Sequence, residues 1–132
     1  MIKKSKNSHP LHTPRISTAK TVFRNNGYND GNITFDQWYD LTQQNCFYCN
    51  STPAQKANRH LNDKNSSAYA RKYGTFIYNG VDRINNLEKH NTDNCVPCCM
   101  RCNMAKGTMS IKQFKAWVIK TYNHFIAKNK KR

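Results

Sequence analysis

Closely spaced cysteines are the feature that most restricts what this chain can fold into. Cys46 and Cys49 form one C-x-x-C knuckle, and the second half of the chain offers two overlapping registers for another. These registers are Cys95 with Cys98 and Cys99 with Cys102. A C-x-x-C turn presents two thiolates to one point, so two such turns can complete a tetrahedral Zn²⁺ site. Disulfides and inert buried thiols are the alternative interpretations, and the spacing leaves both registers open.

The composition indicates one small domain that needs a disulfide or a bound metal to be stable. The chain has 132 residues, about one domain's length, and 37% of them are hydrophobic, below the ~45–50% of an ordinary globular domain. A core this small usually requires a disulfide or a metal. We expect one domain over 15–127, with a flexible basic arm at 1–14 that buries too little to become ordered, and a basic tail at 128–132.

The charge balance indicates a polyanionic partner. Lys and Arg number 22 against 7 Asp and Glu, a formal net charge of +15, which favours nucleic acid first and a membrane surface second. The terminal residues expected to contact phosphates are Lys3, Lys4, Lys6, Lys130, Lys131 and Arg132. No apolar run approaches the ~18 residues of a membrane span, and no apolar segment follows the basic N-terminus as in a signal peptide. A reducing, intracellular (cytoplasmic) location is therefore expected.

Hydrophobic spacing and capping residues predict a mixture of helices and short strands. Helices are predicted from Ile16 to about Asn25, after a capping box at Thr34 and Gln37, from Met100 to Lys106, and after an N-cap at Ser110. Strands are predicted at 75–78, 81–84 and 95–97. The polar stretch 50–74 has no sustained period and is expected to be a surface excursion with a short helix near 67–73. Trp38, Trp117 and the final helix are expected to lie in the core.

Several motifs in order resemble one enzyme family. The segment 78–86 contains Gly-Val-Asp-Arg, and 91–106 contains an Asp-Asn pair followed by C-x-x-C-Asn-x-x-Lys. With a Phe-x-x-Trp helix at 35–38 and the first knuckle, they resemble the HNH (ββα-metal, His-Me finger) endonucleases with a four-cysteine zinc site, over about 28–114. The variant is that of phage- and virus-encoded members and PacI-like restriction enzymes, which read Gly-x-Asp-Arg where others have Asp-His. The resemblance implies an α+β fold, a small zinc-bound ββα-metal core with flanking helices.

The resemblance also implies a choice between the two cysteine registers. In this family the second knuckle directly precedes the last polar ligand of the active site. The implied structural zinc ligands are Cys46, Cys49, Cys99 and Cys102. Cys95 and Cys98 would then be packed thiols beside the strand.

Four polar residues acquire roles from the same resemblance. Asp82 would be the carboxylate ligand of a catalytic divalent cation, and Asn103 would supply the second ligand where many members have a final His. Their oxygen donors suit Mg²⁺ or Mn²⁺ better than zinc. Asn94 would orient the site, and Lys106, one helical turn after Asn103, would contact a DNA phosphate.

Arg83 departs from the usual family pattern. A His at this position would act as general base, but a guanidinium cannot accept that proton. Arg83 can instead hold a phosphate bidentately and stabilise the charge of the transition state. The candidate bases that remain are His90 in the loop between the strands, Tyr48 in the first knuckle and, less favoured, His60.

The sequence therefore predicts a metal-dependent DNA endonuclease, of homing, restriction or phage type, that hydrolyses phosphodiester bonds in double-stranded DNA. It would use structural Zn²⁺ and catalytic Mg²⁺ or Mn²⁺, with no small-molecule cofactor and no membrane partner. One active site per chain makes a homodimer plausible for double-strand cutting. The alternative is a catalytically silent zinc module that binds nucleic acid, which the Arg83 substitution keeps open.

Overall fold

A computed structural model of the protein describes residues 13–128, which contain five α-helices and two antiparallel sheets of two strands each. The helices are α1 (Thr13–Asn25), α2 (Phe35–Thr42), α3 (Ala68–Tyr73), α4 (Met100–Lys106) and α5 (Ile111–Tyr122). The strands are β1 (Gln55–Ala57), β2 (Phe76–Tyr78), β3 (Gly80–Arg83) and β4 (Cys95–Cys98). Short 3₁₀ turns span Tyr28–Asp30, Arg59–Asn62 and Thr92–Asn94, and a π turn, Asn123–Ala127, extends α5. The predicted class, a small α+β domain, is confirmed.

The hydrophobic core forms where α1 and α2 pack on β2. Trp38 is completely buried at its centre, with ring centroids 5.3 Å from Phe23 and 6.0 Å from Phe76. Ala19 and Val22 complete the stripe of α1 that the 3.6-residue period predicted. The prediction that Trp38 belongs to the core is confirmed.

Two helices begin after their predicted capping residues, Thr34 and Ser110. Thr34 Oγ1 accepts a hydrogen bond from the Gln37 N–H at 3.1 Å, and the Thr34 N–H donates to Gln37 Oε1 at 2.9 Å. Ser110 and Gln113 repeat the arrangement at the start of α5 with the same distances. Each box satisfies N–H groups that a helix start leaves without partners, which explains why sequence located these boundaries.

The polar stretch predicted as a surface excursion contains a strand. β1 pairs antiparallel with β2, placing Gln55 opposite Tyr78 and Ala57 opposite Phe76. A polar strand of three residues carries no periodic signal, so only its pairing with β2 defines it. The short helix expected in this stretch is α3.

Asn79 is the point at which the chain leaves one sheet and enters the other. Its N–H donates to the Thr42 carbonyl at 2.9 Å, and its side-chain amide donates to the carbonyls of Gln44 at 2.9 Å and Ser51 at 3.2 Å. The side chain is buried. Through its backbone N–H and its side-chain amide, Asn79 therefore joins the end of α2 and the first knuckle to the junction between β2 and β3.

Replacing Asn79 should destabilise the whole fold. Asn79→Ala removes the side-chain donor to the Gln44 carbonyl and one of the two donors to the Ser51 carbonyl, and we expect the free energy of unfolding to fall by about 1–3 kcal/mol in denaturant titrations. Asn62→Ala, at an exposed asparagine in a 3₁₀ turn, is the matched control and should change it by less than about 0.5 kcal/mol. Equal losses in the two variants would contradict this role for Asn79.

The final helix differs from its predicted place in the core. Its predicted N-cap, Ser110, is confirmed, but the buried residue of α5 is Phe114, and Trp117 is 47% exposed. The helix is anchored through its first turn, so the rest of its apolar side has no matching surface in the described part of the domain. The expectation that Trp117 is a core residue is wrong.

The termini lie outside the described residues. The described part of α1 includes Thr13 and Pro14, the last two residues of the segment that the sequence analysis assigned to the basic arm. The terminal phosphate-binding candidates lie outside the described residues: Lys3, Lys4, Lys6, Lys130, Lys131 and Arg132. Among the described helices, none combines the length and apolar character needed to cross a membrane.

Candidate metal centre and the buried Asp82 site

The first knuckle is a tight turn between α2 and β1. The Cys46 N–H donates to the Ser51 carbonyl at 2.8 Å, and the Asn50 N–H donates to the Cys46 carbonyl at 2.9 Å. Asn50 has a positive φ of 66°, a conformation that Asn tolerates better than most residues. The Phe47 N–H donates to the Pro97 carbonyl at 2.8 Å, which ties the knuckle to β4.

The second knuckle is the N-terminus of α4. Cys99 is the N-cap residue, and its Sγ accepts a hydrogen bond from the Cys102 N–H at 3.4 Å. A helical turn after the cap then places the Cys102 side chain beside that of Cys99. Helix geometry thus supplies two sulfurs from one end of α4.

The two knuckles bring four sulfur atoms within 4.8 Å of one another. These belong to Cys46, Cys49, Cys99 and Cys102. The Cys49 and Cys99 sulfurs, one from each knuckle, are 3.7 Å apart. Thiolates bound tetrahedrally to zinc at about 2.3 Å lie about 3.8 Å from each other. The donor set and its spacing therefore fit a structural zinc ion.

The surroundings of Cys49 favour the thiolate that a metal requires. Its Sγ lies 2.7 Å from the Ser51 hydroxyl. Hydrogen bonds from the side chain and then the backbone of Ser51 lower the pKa of Cys49 to about 6. Ser51 therefore supports the cluster by its hydrogen bonds to Cys49. Its position two residues after Cys49 did not predict this role.

Cys95 and Cys98 lie on β4, outside the cluster. Both are buried, and burial raises the pKa of the Cys95 thiol to about 11 and that of Cys98 further still. These thiols are neutral packing groups, as the family resemblance implied. The register that the resemblance implied, with Cys99 and Cys102 in the cluster, is the one that the structure forms.

Metal binding should distinguish the two registers. Cys99→Ser removes one sulfur from the cluster, so we expect it to lose the single zinc per chain and its cooperative thermal unfolding, since metal binding contributes directly to folding. Cys95→Ser, the matched control on β4, should retain the zinc. Metal analysis of both purified variants and their melting curves check this. Zinc retained in Cys99→Ser but lost in Cys95→Ser would show that the other register binds the metal.

Asp82 forms a buried polar site directly beside the cluster. It lies on β3 opposite Val96 of β4, with 7% of its surface exposed. Tyr48 OH donates to Asp82 Oδ2 at 2.7 Å, and Lys106 Nζ lies 3.1 Å from the same oxygen. Within residues 13–128, Asp82 Oδ1 accepts no hydrogen bond. The site thus joins the first knuckle, β3 and α4 through one carboxylate.

Lys106 is buried, which differs from its predicted role at a phosphate. Its side chain is completely inaccessible, and its ammonium also lies 3.4 Å from the Arg83 carbonyl. Lys106 lies on the side of α4 that faces Asp82, and its aliphatic stem runs inward. The ammonium neutralises Asp82 and does not reach solvent.

Tyr48, one of the three candidate bases, acts as a hydrogen-bond donor. Burial and the hydrogen bond to Asp82 raise the pKa of Tyr48 well above its ordinary value. Its ring also packs edge-on against Phe114, with centroids 5.5 Å apart. In this arrangement Tyr48 holds the carboxylate and carries its own proton.

Arg83 and Asn94 both form hydrogen bonds with the backbone of the loop that joins β3 to β4. Arg83 Nη1 donates to the Glu88 carbonyl at 3.1 Å. The Asn94 amide donates to the carbonyls of Asn85 at 3.1 Å and Lys89 at 3.0 Å, and its oxygen accepts from the Asn85 N–H at 2.8 Å. Asn94 therefore shapes this loop.

The loop presents His90 to an acidic partner that sequence analysis missed. Asp30 Oδ1 lies 2.9 Å from both the backbone nitrogen and Nδ1 of His90. These two hydrogen bonds, with the charges of His90 and then Arg83, lower the pKa of Asp30. Among the described residues, Nε2 of His90 has no hydrogen-bond partner, while the ring packs on Tyr28 at 5.2 Å. Sixty positions separate the pair, so no local signal in the sequence could join them.

The remaining candidates are placed as follows. His60 is buried, with Nδ1 2.9 Å from Ser66 Oγ and Nε2 3.1 Å from the Pro14 carbonyl, so both ring nitrogens serve the fold. This excludes His60 as a solvent-accessible base. Asn103 is exposed on α4, three residues before Lys106 and thus on the same side of the helix.

Comparison with known proteins gives one viral relative. An uncharacterized protein of Acanthamoeba polyphaga mimivirus is 30% identical over 93 residues, which cover 70% of this chain and 14% of the viral protein. This chain therefore spans only a small part of the length of that relative. No family model matches the chain, and no solved structure matches it significantly.

Proposed function

We propose that this protein is a metal-dependent DNA endonuclease of the HNH (ββα-metal) type. The observation that carries the proposal is Asp82, a buried carboxylate on the first strand of a ββα unit whose helix begins in the four-sulfur cluster. Burying an ion pair is costly, and mere stability rarely explains one. A buried charged group beside a metal site is a candidate for chemistry.

The charge distribution supports DNA as the substrate. All seven acidic residues precede position 94, so the chain from Asn94 onward, which contains α4 and α5, has basic residues and no acidic ones. Exposed cations of this region include Arg101, Lys112, Lys115 and Lys120. A segment whose charged side chains are all basic attracts a phosphate backbone.

Asp82 and Asn103 are the residues that would hold a catalytic divalent cation. Asp82 Oδ1 accepts no hydrogen bond from the described residues, and Asn103 is exposed on the same side of α4 as Lys106. Both offer the oxygen donors that Mg²⁺ and Mn²⁺ prefer. When bound, such a cation stabilises negative charge on a phosphate and its leaving oxygen. Lys106 and Tyr48, both at Oδ2, fix the orientation of the carboxylate.

His90 is the base that we favour. Nδ1 faces Asp30, which would hold the ring in one tautomer and leave Nε2 to take a proton from water, as an orienting carboxylate does in other catalytic pairs. Arg83, whose charge acts on Asp30, would hold the phosphate with its planar guanidinium. Tyr48 is the less favoured base because its proton is engaged with Asp82.

A catalytically silent nucleic-acid-binding module is the second candidate. The observation in its favour is that Lys106 already neutralises Asp82 at 3.1 Å. A carboxylate balanced by a buried ammonium does not need a cation for stability, and it binds one more weakly than a free carboxylate would.

Cleavage assays separate the two candidates. We expect the wild type to cut supercoiled plasmid with Mg²⁺ or Mn²⁺ and to stop with EDTA. Asp82→Asn, which keeps a hydrogen-bonding side chain against Lys106 and Tyr48, should lose at least about 10²-fold in turnover. Asp40→Ala, at an exposed carboxylate on α2, is the control and should cut normally. Wild-type protein that leaves plasmid, linear duplex, single-stranded DNA and RNA intact would favour the silent module.

The identity of the base is tested by pH profiles. We expect His90→Ala to lower turnover by about 10²–10⁴-fold and to remove the rise in rate with pH that accompanies deprotonation of an imidazole base. Asp30→Asn should lower turnover less and shift that rise. Tyr48→Phe keeps the ring packing and should retain the profile. If Tyr48→Phe abolishes the pH-dependent rise and His90→Ala retains it, Tyr48 is the base.

A further inference from the structure

The exposed apolar face of α5 is unusual for a chain with so few hydrophobic residues. Five large side chains of α5 and the π turn that extends it are 43–59% exposed. They are Trp117, Val118, Ile119, Tyr122 and Ile126, hereafter the α5 face. Val118, Tyr122 and Ile126 follow at intervals of four residues, so they form one continuous stripe on a helix.

The α5 face continues into a cleft beside the first knuckle. This cleft has a volume of about 320 Å³, and its lining residues include Phe47, Tyr48, Phe114, Lys115, Val118 and Ile119. Its walls are mainly apolar, and one of them is the tyrosine that contacts Asp82. An occupant of the α5 face would therefore also cover the cleft and lie next to the proposed active site.

The size of the face indicates a protein partner. Contiguous apolar patches on monomers rarely exceed a few hundred Å². The exposed halves of two aromatic and three aliphatic side chains together reach roughly 500 Å². Two such faces packed together would remove on the order of 1,000 Å² from water, which is the lower limit of a specific interface.

The chemistry of the face distinguishes a protein from DNA. Its centre is aliphatic, and a phosphate backbone gains nothing from Val118, Ile119 or Ile126. Of the exposed cations of α5, Lys115 lies 60° around the axis from Val118, while Lys112 and Lys120 lie on other sides, 120° and 160° from Val118 at 100° per residue. A second α5 face matches the first in length and character, and packing the two would leave Lys112 and Lys120 outside.

We propose that the α5 face is a homodimer interface, formed by the α5 helices of two copies of this chain. Each copy carries a formal charge of +15, so the two copies repel each other at low ionic strength. Self-association should therefore strengthen with salt, because salt screens repulsion and leaves apolar contact intact. DNA binding by the same protein should weaken with salt. The inference concerns assembly and does not depend on the proposed nuclease activity.

Sedimentation velocity of the zinc-loaded full chain, over a range of protein concentrations at low and high salt, tests the interface. We expect a monomer–dimer equilibrium whose dissociation constant rises at least about tenfold in Val118→Glu. Tyr122→Glu, one turn further along, should have the same effect and is independent of the cleft. Ala116→Glu adds the same charge 160° around the helix from Val118 and is exposed, so it should leave the equilibrium unchanged. Zinc content and melting curves verify that all three variants fold.

Other outcomes overturn the proposal. A wild type that remains monomeric at every concentration and salt level excludes the interface. Equal weakening by all three substitutions would mean that added charge, and not the α5 face, controls association. If all variants stay monomeric and Val118→Glu weakens binding to duplex DNA far more than Ala116→Glu does, DNA occupies the face.

Discussion

The approach of two cysteine knuckles to one point is the constraint on which the rest of this structure depends. One knuckle follows α2, and the other is the first turn of α4, so their meeting fixes the helix against the β3–β4 hairpin. The same contact carries Tyr48 to Asp82, because the tyrosine lies inside the first knuckle. With a hydrophobic content of 37%, the chain has little else to hold these segments together. The cluster and the Asp82 site therefore both depend on the contact between the two knuckles.

Burial of the Asp82 carboxylate lowers the stability of the fold unless partners balance its charge. An isolated buried carboxylate costs several kcal/mol, and the ammonium of Lys106 with the hydroxyl of Tyr48 offsets that cost. Removing one partner leaves an unpaired charge, so Asp82 and Lys106 are coupled in any mutational study. The arrangement orients one oxygen of the carboxylate and leaves the other without a protein donor.

Local signals in the sequence were sufficient for much of the fold, and contacts between distant segments were not. The capping box at Thr34, the N-cap at Ser110 and the bounds of α4 depend on residues within one helical turn, and each of these predictions is confirmed. The inward course of Lys106 and the pairing of His90 with Asp30 depend on segments far apart in the chain. Periodicity identified α5 as amphipathic, but it could not show that most of its apolar side faces away from the domain.

X-ray absorption at the zinc edge, on protein expressed with zinc, tests the central claim most directly. Our account predicts one zinc per folded chain, surrounded by four sulfur atoms at about 2.3 Å and no nitrogen or oxygen neighbours. Folded protein that contains no zinc, or zinc bound by oxygen or nitrogen in place of any of the four sulfurs, would contradict it.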